Sequence, residues 1–145
     1  MIFTSIEIAR SPEEVKKIFF NFPAYPTWHT SFLHGITPLS KDPNPLDAGS
    51  QVHCHIEGVP EFDASIVENS ARKFVWKGPP VMGVAGLHTF EFQPSEKTNG
   101  GTTFVQKEEF EGVLSFLLQE WLLGKSLFKG YNNFNADLKK KVESL

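Results

Sequence analysis

Cysteine is almost missing from this chain: Cys54 is the one thiol among 145 residues, which excludes an internal disulfide and any cysteine-based zinc ligand set. A reducing compartment is the expected home. Positive charge is also scarce, with 14 Lys and Arg against 17 Asp and Glu, a formal net charge of -3, and no basic run longer than Lys139-Lys140-Lys141. Nucleic-acid binding leaves a basic footprint, so no such partner is expected. No apolar run reaches the roughly 20 residues that span a bilayer. Val113 to Leu123 comes nearest and is broken by Ser115, Gln119 and Glu120, so stable membrane insertion is not expected. The stretch Met1-Ile2-Phe3-Thr4-Ser5-Ile6-Glu7 lacks the basic start and unbroken apolar core of a secretory signal, which makes the cytoplasm the expected location. Tyrosine is rare at 2 residues, whereas phenylalanine numbers 14 beside 3 tryptophans. Such rings are bulky and mostly lack a polar handle, so a large apolar interior is expected. With 40% hydrophobic and 21% charged residues, the chain suits one folded domain over residues 1–145. At this size about 70% of the unfolded surface is removed from water.

Ile2, Ile6 and Ile8 alternate with Phe3, Ser5 and Glu7, the pattern of a half-buried strand. Ser11-Pro12-Glu13-Glu14 then offers an N-cap hydroxyl, a first-turn proline and carboxylates at the positive end of a helix dipole. Val15, Ile18 and Phe19 supply that helix with a buried stripe. Asn21 to Trp28 contains two prolines and predicts a short second helix or turn, packed through Phe22, Tyr25 and Trp28. Lys41 to Gly49 reads as a loop. Three strands follow, Ser50 to Glu57, Glu61 to Glu68 and Arg72 to Lys77. Paired antiparallel, they put Val52, Cys54, Ile56, Phe62, Ala64, Ile66, Phe74 and Trp76 on one face and His53, His55, Glu61 and Asp63 on the other. Gly78 to Gly86 is an apolar loop carrying Val81, Met82 and Val84, expected to act as a lid. A long hairpin then joins Leu87–Phe92 to Thr102–Glu111. Val113 to Val142 reads as one long helix, with Leu117, Trp121, Gly124, Phe128, Tyr131, Asn135, Leu138 and Val142 on one stripe. Gly124 and Gly130 each weaken it by about 1 kcal/mol relative to Ala, so a bend or a packing reason is expected at both.

Together these elements make an α+β plan in which a curved antiparallel sheet wraps a long C-terminal helix, with two short helices after strand 1. The pieces Ser11-Pro12-Glu13-Glu14-Val15, Tyr25-Pro26-Thr27-Trp28, Phe74-Val75-Trp76-Lys77-Gly78, Gly86-Leu87-His88-Thr89-Phe90, Gly100-Gly101-Thr102-Thr103-Phe104 and Glu108-Glu109-Phe110-Glu111-Gly112 resemble, in order, the START/Bet v1-like (SRPBCC) superfamily and its polyketide cyclase/dehydrase-like branch. The resemblance covers nearly the whole chain. It implies a helix-grip fold whose cavity, between sheet and helix, takes a hydrophobic small molecule such as a lipid, sterol, polyketide or quinone. It fixes no reaction, because members of one fold differ in function.

If Phe92 faces Phe104, facing partners in the hairpin sum to 196, which sets His88 opposite Glu108 on the inward face. A carboxylate favours the charged imidazole and burial opposes it, so the pair is a candidate for acid–base work as well as for a self-satisfied buried contact. Gln106 and Tyr131 are candidate donors to a ligand carbonyl. Trp28, Phe62, Phe74, Trp76, Met82, Phe90, Phe104, Trp121 and Phe128 are the candidate lining, although about half of the phenylalanines are expected simply to fill a core. His53 and His55 have a spacing that suits one metal, but parity turns them to solvent with no third ligand in evidence, so no metal and no cofactor are expected. His29 and His34 are expected to be structural or to rim the cavity, and Cys54 to behave as a small hydrophobe. There is no G-x-S-x-G elbow and no phosphate-binding glycine loop. Three functions are compatible: a binder of a hydrophobic small molecule, a cofactor-independent cyclase or dehydratase using His88 and Glu108, and a co-chaperone-like module using the apolar first half of the long helix.

Overall fold

The computed structural model describes residues 1–80, 85–112 and 124–145. Seven strands form one antiparallel sheet: β1 (Ile2–Ile8), β2 (Leu33–Pro38), β3 (Gln51–Ile56), β4 (Phe62–Asn69), β5 (Lys73–Lys77), β6 (Ala85–Pro94) and β7 (Thr102–Glu111). Their spatial order is β1-β7-β6-β5-β4-β3-β2, so the first strand pairs with the last and every other neighbour is joined by a hairpin. The chain crosses from one sheet edge to the other through helix α1 (Pro12–Phe19) and a 3-10 turn (Phe22–Thr27). Helix α2 (Gly124–Glu143) packs against β1 and α1. This is the helix-grip α+β arrangement. Among the described residues no helix is long and apolar enough to cross a membrane.

The start of α1 follows from its cap. The Ser11 hydroxyl accepts from the Glu14 amide at 3.3 Å, and the Glu14 carboxylate accepts from the Ser11 amide at 3.1 Å. This reciprocal box, with Pro12 in the first turn, contributes about 1 kcal/mol to the helix. It aims Val15 and Phe19 at the sheet, both fully buried. Phe19 becomes the hub of a phenyl cluster, with the rings of Phe74, Phe90, Phe92, Phe104 and Phe134 at centroid distances of 4.7–6.3 Å. Phe74, Phe90, Phe92 and Phe104 are 0% exposed. These rings therefore belong to a packed core beneath α1.

The sequence pattern missed one strand and misplaced one side chain. Strand β2 has no counterpart in the alternation pattern because its register shifts between Leu33 and Gly35, so its buried residues, Leu33 and Ile36, are three apart rather than two. On α2, Phe128 is 50% exposed and does not line the interior. The buried stripe runs instead through Leu127, Tyr131, Phe134, Asn135, Leu138 and Val142, which leaves Phe128 just past the edge of the buried arc. Gly130 does have a packing reason: the Phe32 ring occupies the space a Cβ would need. Residues 113–123 of the expected helix, Trp121 among them, lie outside the described residues, as do residues 81–84 of the expected lid, Met82 among them.

Candidate functional site

The hairpin register is the one the facing numbers predict, with Phe92 opposite Phe104, Phe90 opposite Gln106 and His88 opposite Glu108. On the next strand Trp76 faces His88, and across β7 Thr4 faces Gln106. The inward faces of four strands thus deliver Trp76, His88, Gln106, Glu108 and Thr4 to one patch, and α2 covers it with Tyr131 and Asn135. The His88 ring lies 4.4 Å from Phe90, 5.0 Å from Trp76 and 4.9 Å from Tyr131, centroid to centroid.

Hydrogen bonds through this patch run in one direction, and a backbone carbonyl fixes which. The Thr4 hydroxyl must donate to the Gln106 carbonyl oxygen, at 2.7 Å, because that oxygen can only accept. Thr4 Oγ1 then accepts from Asn135 Nδ2 at 2.9 Å, so Asn135 turns its oxygen to Gln106 Nε2, also at 2.9 Å. Gln106 is left with Oε1 toward His88 Nε2, at 2.9 Å. His88 therefore carries its proton on Nε2, and Nδ1 is the lone-pair nitrogen. Thr4, His88, Gln106 and Asn135 are all buried, so an apolar replacement of one strands the next.

His88 Nδ1 faces Glu108 Oε2 at 3.6 Å, and the Tyr131 hydroxyl donates to the same oxygen. Burial pushes the Glu108 carboxyl up to about 7, against the lowering effect of the Tyr131 hydrogen bond. Burial likewise pushes His88 down to about 4, against the opposing bond to Gln106. Desolvation wins at both groups, so the pair is a neutral imidazole beside a carboxyl that holds its proton to near neutrality, not an ion pair. Such a pair can pass a proton between Glu108 and Nδ1. The Tyr131 hydroxyl is itself buried, and desolvation with the neighbouring carboxyl holds it well above the ordinary phenol range.

Gln106 Nε2 donates to Asn135 Oδ1 at 2.9 Å and to the Tyr131 carbonyl at 3.5 Å, so its amide is engaged within the protein. Tyr131 spends its hydroxyl on Glu108. Phe74 and Phe104 belong to the phenyl core. Trp28 packs on Tyr25, His29 and Phe134, away from His88. Phe62 and Phe110 are partly buried against the core. Sequence reasoning passed over Thr4, Gly86 and Phe32. Thr4 had a signal, a polar residue at the inward parity between Ile2 and Ile6. Gly86 had none: Glu108 Oε1 lies where its Cβ would stand, so any side chain there would displace the carboxyl.

The remaining candidates serve structure or surface. His29 Nε2 accepts from the Leu33 amide at 2.9 Å, so its Nδ1–H donates to Asp137 at 2.8 Å. His34 pairs with Glu57 at 2.6 Å. On the outer sheet face both nitrogens of His53 are taken, by Asp63 at 2.8 Å and Glu61 at 3.0 Å. Among the described residues no group of three or more His, Cys, Asp or Glu is placed to hold a metal. Burial raises the Cys54 thiol to about 12, which removes it as a nucleophile.

Solved structures share this fold. A START superfamily protein from Mycobacterium smegmatis is 16% identical, with a TM-score of 0.69 over 99% of this chain and 97% of that one. A protein from Thermus thermophilus is 13% identical, with a TM-score of 0.72 over the same shares. A Thalictrum norcoclaurine synthase point mutant, in complex with a transition-state analogue, is 11% identical, with a TM-score of 0.68 over 99% of this chain and 93% of that one. At these identities the likeness is one of fold. Among curated proteins nothing matches. A family profile described as polyketide cyclase / dehydrase and lipid transport matches residues 2–143, and the chain belongs to that family.

Proposed function

We propose that this protein is a cytoplasmic binder of one hydrophobic small molecule, held between the sheet and the C-terminal helix with its polar end at Glu108. The observation that carries the reading is the state of that carboxyl. Its side chain is 15% exposed, Oε2 is engaged by Tyr131, and Oε1 has no hydrogen-bond partner among the described residues. An interior carboxyl beside His88 and Tyr131, with the Phe110 ring nearby and one oxygen unpaired among the described residues, is what a small-molecule site of apolar walls and few polar groups supplies. Lipid transport in the family's description supports the same reading.

A second reading, favoured by the near-neutral Glu108 beside His88 Nδ1, is proton transfer on an enolisable carbonyl compound in the same place. One experiment separates the two. Native mass spectrometry of protein purified from its own host should show one added small molecule per chain, released on unfolding and soluble in organic solvent. A carrier keeps its cargo through purification, whereas an enzyme releases its product. A bare chain mass would overturn the carrier reading and leave the catalytic one.

A further inference from the structure

An apolar molecule with an anionic head, such as a fatty acid or a phospholipid, needs a cation where the head is buried. None of the chain's 14 Lys and Arg side chains belongs to its buried residues. Those near the site point elsewhere: Lys77 pairs with Glu111 at 2.9 Å, Lys107 pairs with Glu91 at 3.0 Å, and Lys125 and Lys129 are exposed on α2. Residues 81–84 and 113–123 contain no Lys or Arg, and Glu120 is their one acidic residue. The other polar groups of the patch are committed to one another. Thr4, Asn135, Gln106 and His88 Nε2 form a closed directed chain, and the Tyr131 hydroxyl belongs to Glu108. Among the described residues, what remains for a ligand is an acid, the Oε1 edge of Glu108.

Resting on the binding reading above, we infer that the site selects its ligand by charge, admitting molecules whose polar end is an uncharged hydroxyl or carbonyl and refusing carboxylates. A hydroxyl can donate to Oε1, and a carbonyl can accept from it when the carboxyl is protonated. Among the described residues, a carboxylate would meet an acid with no buried Lys or Arg to offset its desolvation.

Decan-1-ol and decanoate share a chain and differ in this respect, so their dissociation constants at pH 7.5, by calorimetry, test the inference. Decan-1-ol should bind at least tenfold more tightly. In Glu108→Gln the amide offers a donor and carries no charge, so decanoate should gain and the ratio should narrow by several-fold. Equal or tighter binding of decanoate by the parent protein overturns the inference, as does an unchanged ratio in a variant with parental circular dichroism. The parent ratio decides alone should the variant not fold. Binding of neither compound removes the binding reading and the inference with it.

Discussion

Glu108→Gln and His88→Gln should change the pH dependence of stability in opposite directions. Glu108 has a folded pKa of about 7 against an ordinary 4.5, so the folded state holds a proton that the unfolded chain has already lost. Its stabilising contribution is complete below about 4.5 and disappears as pH rises to 7. His88 is lowered from 6.5 to about 4, so the unfolded chain binds a proton that the folded ring refuses. Its contribution is complete above 6.5 and is lost as pH falls to 4. Each shift corresponds to about 3 kcal/mol, and in the parent the two slopes largely offset between pH 4.5 and 6.5. Relative to the parent, Glu108→Gln should therefore gain stability from pH 4.5 to 7.5, and His88→Gln should lose it. Urea unfolding of the three proteins at pH 4.5, 5.5, 6.5 and 7.5 reads the differences directly. Parallel curves for both variants would mean that the pair is solvated and that the buried neutral state is wrong.

Gly130→Ala should destabilise the protein, against the usual benefit of about 1 kcal/mol for that exchange inside a helix. The methyl group would enter the Phe32 ring, which is buried and packs on Tyr131 at 5.5 Å. Helix and ring must separate, at a cost of about 1–3 kcal/mol for overpacking. Phe32→Leu should lessen that cost, so the double variant should be more stable than the two single losses added together. A Gly130→Ala protein more stable than its parent in thermal unfolding would show that Phe32 yields freely and that α2 is not gripped there.

These two cases mark where sequence was enough and where it was not. The facing of His88 and Glu108 was legible because a hairpin register is set by one pairing, Phe92 with Phe104, and propagates by counting. The wet and dry faces of β3 to β5 were legible because their alternations had to agree. Strand β2 was hidden by its bulge, and Phe128 by the phase of a helix whose apolar residues cover more than one stripe. The charge state of the pair was not legible at all. It depends on the depth of burial, on Tyr131 arriving from a distant helix, and on a hydrogen-bond direction set by the backbone carbonyl of Gln106. Gly86 makes room for the carboxyl for a reason that exists only in three dimensions.

The measurement that reaches the central claim most directly is a titration with N-phenyl-1-naphthylamine, a neutral apolar fluorophore, followed through both probe and tryptophan emission. Trp76, 2% exposed and 5.0 Å from the His88 ring, is the nearer of the two described tryptophans, and Trp76→Phe supplies its control. Probe fluorescence should saturate at one molecule per chain. Tryptophan emission should change over the same range in the parent and much less in Trp76→Phe. Weak uptake that never saturates, with Trp76 emission unmoved, would show that the phenyl core leaves no room between sheet and helix and that this chain holds no apolar molecule there.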